Sequence, residues 1–90
     1  MRTIRIFVSG TVQGVFFRAF VEEEADKLDL KGFVRNLDDD RVEVVIEGRE
    51  KDVEKMIEKC RKGCPYSQVK DVEIEKMRHQ GFKEFKILKF

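Results

Sequence analysis

The stretch Gly10-Thr11-Val12-Gln13-Gly14-Val15-Phe16-Phe17-Arg18 decides how the rest of the chain is read. Upstream, Ile4, Ile6 and Val8 alternate with Arg5, Phe7 and Ser9, the period of two expected of a half-buried strand. Downstream, Phe17, Phe20, Val21, Ala25 and Leu28 recur at helical spacing on one face. The nine residues are therefore a strand-to-helix connection, with two glycines that permit a sharp bend and a close approach. Their amides run into a helix N-terminus, where unpaired N–H groups and the helix dipole favour an anion. Arg18 falls in the first helical turn, where a cation opposes the dipole by roughly 0.3–1 kcal/mol. Two readings of it stand at this point: a guanidinium that closes on a bound anion, or one paired with Glu22 a turn further on. No Gly-Lys-Ser/Thr ends the stretch, so it is not a nucleotide P-loop.

Working outward, the spacing predicts a first strand over about Thr3 to Ser9 and a first helix over about Phe16 to Leu28. Lys31 to Asn36 reads as a second strand. Leu37 to Arg41, with Asp38, Asp39 and Asp40, reads as a hairpin turn. Val42, Val44 and Ile46, alternating with Glu43, Val45 and Glu47, make a third strand. A second helix follows from about Glu50 to Lys62, and Gly63, Cys64 and Pro65 stop it. Val69 to Lys76 is a fourth strand with Val72 and Ile74 inward, and Phe82 to Leu88 a short closing strand after the turn at His79-Gln80-Gly81.

The order βαββαβ plus one strand predicts an α+β, ferredoxin-like two-layer sandwich, a single domain over residues 1–90 with two helices on one face of a mostly antiparallel sheet. A right-handed crossover through the first helix sets strands one and two parallel, with strand three between them. Asn36, at the end of strand two, is then a neighbour of the glycine loop. Its other reading is an Asn that ends a strand to start a turn.

Composition bounds the partners. Nineteen basic and 18 acidic side chains give a net charge of +1, so no bulk field points to nucleic acid or an anionic membrane. The longest uncharged run, Ile6 to Phe17, is too short to span a bilayer. With Met1 leading straight into a strand, the expected location is cytoplasmic. Cys60 and Cys64 lack metal-site spacing. Cys60 completes a helical stripe with Val53, Met56 and Ile57 and is expected to pack as a small hydrophobe. A Cys60–Cys64 bridge would be strained and would need an oxidising setting. Three consecutive Asp in a hairpin are expected to be solvated rather than to hold a metal, because calcium-loop spacing is absent. No catalytic duty is expected of His79.

With these residues in hand, the sequence resembles the acylphosphatase family. Gly10 to Arg18 match the family pattern Gly-x-Val-Gln-Gly-Val-x-Phe-Arg at every specified position. Gly32, Phe33, Val34, Arg35 and Asn36 match a second segment, Gly-aromatic-Val-basic-Asn, and Val42-Glu43 a third. The resemblance implies that the loop Gln13, Gly14, Val15, Phe16 and Phe17 binds a phosphoryl group together with Arg18. It also implies that Asn36 orients the attacking water and that the reaction is hydrolysis of a carboxyl-phosphate bond. By the same implication the partners are a small acyl phosphate and inorganic phosphate as product and inhibitor, with a monomeric enzyme and no nucleic acid, membrane or cofactor. The chain departs from the pattern at Asp39-Asp40 where Asp-Gly is usual, at Leu37 where Thr is common, and at Gly63-Cys64-Pro65 for Gly-Pro-Pro.

The residue types suit that chemistry. A carboxylate leaves an acyl phosphate readily, so no strong general acid is needed; positioning and charge stabilisation suffice. Arg18 brings bidentate donors and the loop brings fixed amides. Asn36 cannot act as a base near neutral pH, so the proton of water goes to a phosphate oxygen in a metal-independent, substrate-assisted scheme. Two alternatives keep the fold and change the function. One is a non-catalytic acyl-phosphate-binding or regulatory module. The other is an RNA-binding domain that stacks bases on Phe7 and Phe33, against which Arg35 stands where the next aromatic is wanted.

Overall fold

A computed structural model describes residues 1–89. The elements run β1 (Arg2–Thr11), α1 (Val15–Lys27), β2 (Lys31–Asn36), β3 (Val42–Gly48), α2 (Glu50–Lys62), β4 (Gln68–Met77) and β5 (Phe85–Ile87). The sheet order is β4-β1-β3-β2-β5. β3 lies between β1 and β2 and is antiparallel to both, so those two run parallel to each other as the crossover rule requires. One pair, β2 with β5, is parallel.

Ile4, Ile6, Val8, Val34, Val44 and Ile46 point from the sheet into a core closed by Phe17, Val21 and Ala25 of α1 and Val53, Met56 and Cys60 of α2. This is the ferredoxin-like α+β sandwich. Ile74 pairs with Ile6 across the β1–β4 ladder, so it faces the helices, yet its edge position leaves it 37% exposed. Cys60 and Cys64 are both free thiols, the first buried.

β1 and β4 run longer than their hydrophobic spacing indicates, β4 by one residue at each end. β1 continues to Thr11 because, beyond a register shift at Ser9/Gly10, its last residues still pair with β4. Gly10 sits there at φ 128°, and a Cβ on it would stand 2.2 Å from the carbonyl oxygen of Gln68, so only glycine fits. At the hairpin, Asp40 adopts φ 72°, the left-handed region where the family pattern places glycine.

β5 is shorter than Phe82 to Leu88, and at its start a buried carboxylate takes the Phe82 amide. Glu47, 2% exposed on the sheet face away from the helices, accepts hydrogen bonds from the amides of Gln80 (2.6 Å), Gly81 (2.9 Å) and Phe82 (3.1 Å). The Thr3 hydroxyl donates to it as well, and Nδ1 of His79 lies 3.2 Å away. Those amides serve the carboxylate and are not available to a ladder. Glu43, also buried on that face, is held by Arg35 Nε at 2.5 Å and Arg5 Nε at 2.9 Å. Alternation along β3 therefore does not mean exposure: all seven of its residues are buried. Phe7 and Phe33 on this face are engaged too. The Arg41 guanidinium lies 4.5 Å from the Phe7 ring centroid, and Phe82 meets Phe33 edge-on at 6.0 Å.

Candidate active site

The site grows from the junction of β1 and α1. Gly14 caps the helix at φ 114°, ψ 171°, a region essentially restricted to glycine, and a Cβ there would meet nothing within 4 Å. Glycine is thus demanded by backbone angle, not by crowding. The first turn of α1 has no side-chain cap and no acidic residue, whereas α2 begins with Glu50 and Asp52. The positive end of the α1 dipole is left without a protein anion.

Helical phase then sorts the side chains. At about 100° per residue, Phe16 and Arg18 diverge to opposite flanks while Phe17 lies between them. Phe17 is 2% exposed in the core, so only its main chain can reach a ligand, and Val15 and Phe16 are 63% and 68% exposed. Arg18 leans back over the junction, its Nε donating to the Gly14 carbonyl at 3.4 Å, a long bond. Among the described residues it pairs with no carboxylate, so of its two readings the Glu22 pair is not formed.

Arg18 and Asn36 line one open depression of about 670 Å³, together with Gln13 and Val15 and with Leu37, Asp38 and Asp40 from the hairpin. Leu88 and Lys89 complete the rim. The side-chain oxygen of Asn36 is buried and has no hydrogen-bond partner. An orphaned acceptor costs about 1–3 kcal/mol, which is tolerable where a ligand or water O–H can be taken up. Gln13 faces the other way: its Nε2 donates to the carbonyls of Leu37 (3.1 Å) and Arg41 (3.0 Å). Its side chain is a brace between loop and hairpin, leaving its main chain to the junction.

Of the six predicted loop residues, Gln13, Val15 and Arg18 line the depression with Asn36; Gly14, Phe16 and Phe17 do not, the Phe17 side chain lying in the core and Phe16 stacking on Tyr66. The hairpin residues Asp38 and Asp40 were not foreseen as lining it, and neither were Leu88 and Lys89. For the last two the signal was available in the topology: a last strand beside β2 and parallel to it must end at the same edge as Asn36. The three aspartates form no metal set, and among the described residues no cluster of three or more His, Cys, Asp or Glu is placed to hold an ion.

A ferredoxin-like sandwich with an uncapped helix start, a free guanidinium and an orphaned carboxamide around one depression defines a small anion-handling α+β protein. The family model for acylphosphatase matches residues 4–87. An acylphosphatase of Haloarcula marismortui is 48% identical, covering 91% of this chain and 90% of its own. One from Bacillus licheniformis is 47% identical over 97% and 98% of the two chains. The crystal structure of the Bacillus subtilis acylphosphatase superimposes with a TM-score of 0.93 at 44% identity, covering 98% of this chain and 99% of that one. The chain belongs to the acylphosphatase family.

Proposed function

We propose that the depression between α1 and the β2–β3 hairpin is where this chain carries out the acylphosphatase activity of its family, with Arg18 and the loop amides as the phosphoryl cradle. The amides from Gln13 to Phe17 and the Arg18 guanidinium hold the phosphoryl oxygens. Asn36 takes one O–H of a water on its unpartnered Oδ1 and turns the water oxygen toward phosphorus. The water oxygen forms the new P–O bond as the bond to the acyl oxygen breaks, and the carboxylate departs with that electron pair. One water proton passes to a phosphoryl oxygen, giving inorganic phosphate; no residue lining the site other than Asp38 and Asp40 is a carboxylate or imidazole, and both are exposed hairpin residues.

One observation carries the reading: a side-chain acceptor without a partner and a guanidinium without a counter-ion line the same depression at a helix N-terminus. The test is hydrolysis of benzoyl phosphate with inorganic phosphate as competitor. Turnover with competitive inhibition supports the assignment; binding of phosphate with no hydrolysis would leave only a regulatory module. The substrate is a small molecule, and no helix among the described residues is long and apolar enough to cross a membrane. We further propose that the chain acts in the cytoplasm as a monomer and a single domain; gel filtration checks the stoichiometry.

A further inference from the structure

The site described so far grips the phosphoryl end and says nothing of the acyl group. In-line displacement supplies the missing direction, because the attacking and leaving oxygens lie on opposite sides of phosphorus. Asn36 ends β2, so the water approaches from the β2 side of the loop. The sheet order places β1 between that side and β4, whose first residue, Gln68, pairs with Thr11. The acyl group must then leave toward the turn that precedes β4.

That flank carries an aromatic pair. Phe16 and Tyr66 stack with ring centroids 5.5 Å apart and planes tilted by 43°. Both are largely exposed, at 68% and 80%, and Val15 beside them is 63% exposed. Phe16 is placed there by the same helical phase that sends Arg18 to the Asn36 flank. Other large apolar side chains of α1, Phe17 and Phe20, stack on each other over the core, so nothing in the fold requires these two rings at the surface. Large apolar groups grouped in the open cost solvation and commonly mark a contact surface.

We infer that Phe16 and Tyr66 form the acyl-group subsite and that the enzyme favours aromatic and other apolar acyl phosphates over small ones, an inference that rests on the water-side placement of Asn36. The rings offer a face and an edge to a planar or aliphatic acyl group, while the phosphoryl group stays in the cradle.

The test compares kcat/KM for benzoyl phosphate and acetyl phosphate. Tyr66→Ala and Phe16→Ala are each expected to lower the benzoyl-to-acetyl ratio about three- to tenfold, the size of an aromatic contact, with Tyr66→Phe keeping the wild-type ratio. A ratio unmoved in both alanine variants overturns the subsite. Both rings are exposed, so the variants are expected to fold, and circular dichroism confirms it. Asn36→Ala, assayed alongside, reports separately on the starting point. Loss of turnover on both substrates with phosphate binding intact by isothermal titration supports the water-side placement, and retained turnover removes it together with this inference.

Discussion

The Gln13 side chain is hydrogen-bonded to the main chain of Leu37, its Nε2 donating to that carbonyl at 3.1 Å. The same nitrogen donates to Arg41 at 3.0 Å, and Leu37 and Arg41 close the hairpin on each other through a 2.8 Å backbone bond. One amide thus fixes the distance between the glycine loop and the strand end that carries Asn36. Gln13→Ala is expected to cost about 1–2 kcal/mol in urea denaturation, two exposed bonds' worth. It should lower kcat/KM by about tenfold, because small misplacement of positioned groups is costly. Gln13→Glu, which sets a carboxylate against two carbonyls, should be worse than alanine on both measures. Equal activity in all three proteins would show that the brace does not position the site.

Arg18→Ala should reduce turnover of benzoyl phosphate at least about 10²-fold, the effect of losing one preorganised donor to developing charge. Inhibition by inorganic phosphate should weaken in parallel, since in the proposed cradle the guanidinium would hold product as well as substrate. Arg18→Lys, a point charge without the fork, should fall between the two. Full activity in a folded Arg18→Ala protein would take this side chain out of the mechanism.

Asn36→Ala separates binding from chemistry. Its oxygen bonds nothing in the fold, so its removal should change stability by less than about 1 kcal/mol. Phosphate should bind the variant as before, read by isothermal titration, while hydrolysis is abolished. If phosphate binding disappears instead, Asn36 is a ligand of the anion and does not aim the water.

Glu47 makes stability depend on acid. Burial alone would raise its carboxyl pKa, but the Gln80 amide, the Thr3 hydroxyl and the amides of Phe82 and Gly81 outweigh that and hold it below the ordinary 4.5. A carboxyl depressed on folding contributes stability that is complete above the unfolded value and lost as pH falls through the folded one. Glu47→Gln should therefore cost about 1–3 kcal/mol at pH 7, with the gap to wild type narrowing below pH about 4.5. Denaturation midpoints at pH 7 and pH 3 decide it, and a constant gap would deny the carboxylate this role.

Thiol labelling probes the other side of the sheet. Burial pushes the Cys60 thiol up to about 12, which leaves almost no thiolate at pH 8. An aromatic disulfide reagent should titrate only the half-buried Cys64 in the native protein and both thiols in guanidinium chloride. Rapid reaction of two thiols under native conditions would mean that α2 is not packed as described.

Much of this was legible in order of sequence distance. The junction from Gly10 to Arg18 and the bounds of β2 and α2 follow from local periodicity and stop signals. The meeting of Arg18 with Asn36 follows from one handedness rule applied to the element order. What escaped were contacts between segments with no shared pattern. Lys89 and Leu88 on the rim are brought there by three ladder pairs of a very short strand. Tyr66 stands next to Phe16 only because a turn and a helix start share one sheet edge. Glu47 looked like the solvent half of an alternating strand.

The amino-acid order by itself determined the element list, the strand-to-helix loop with its two obligatory glycines, and the family signature, because each depends on backbone preferences and spacing within a few residues. Only the tertiary structure decided that Gln13 braces a hairpin, that Glu47 is buried, and that Phe16 and Tyr66 stack on one flank of the loop. Those depend on the direction a side chain takes once strands far apart in the chain are laid side by side, and no local pattern encodes that direction.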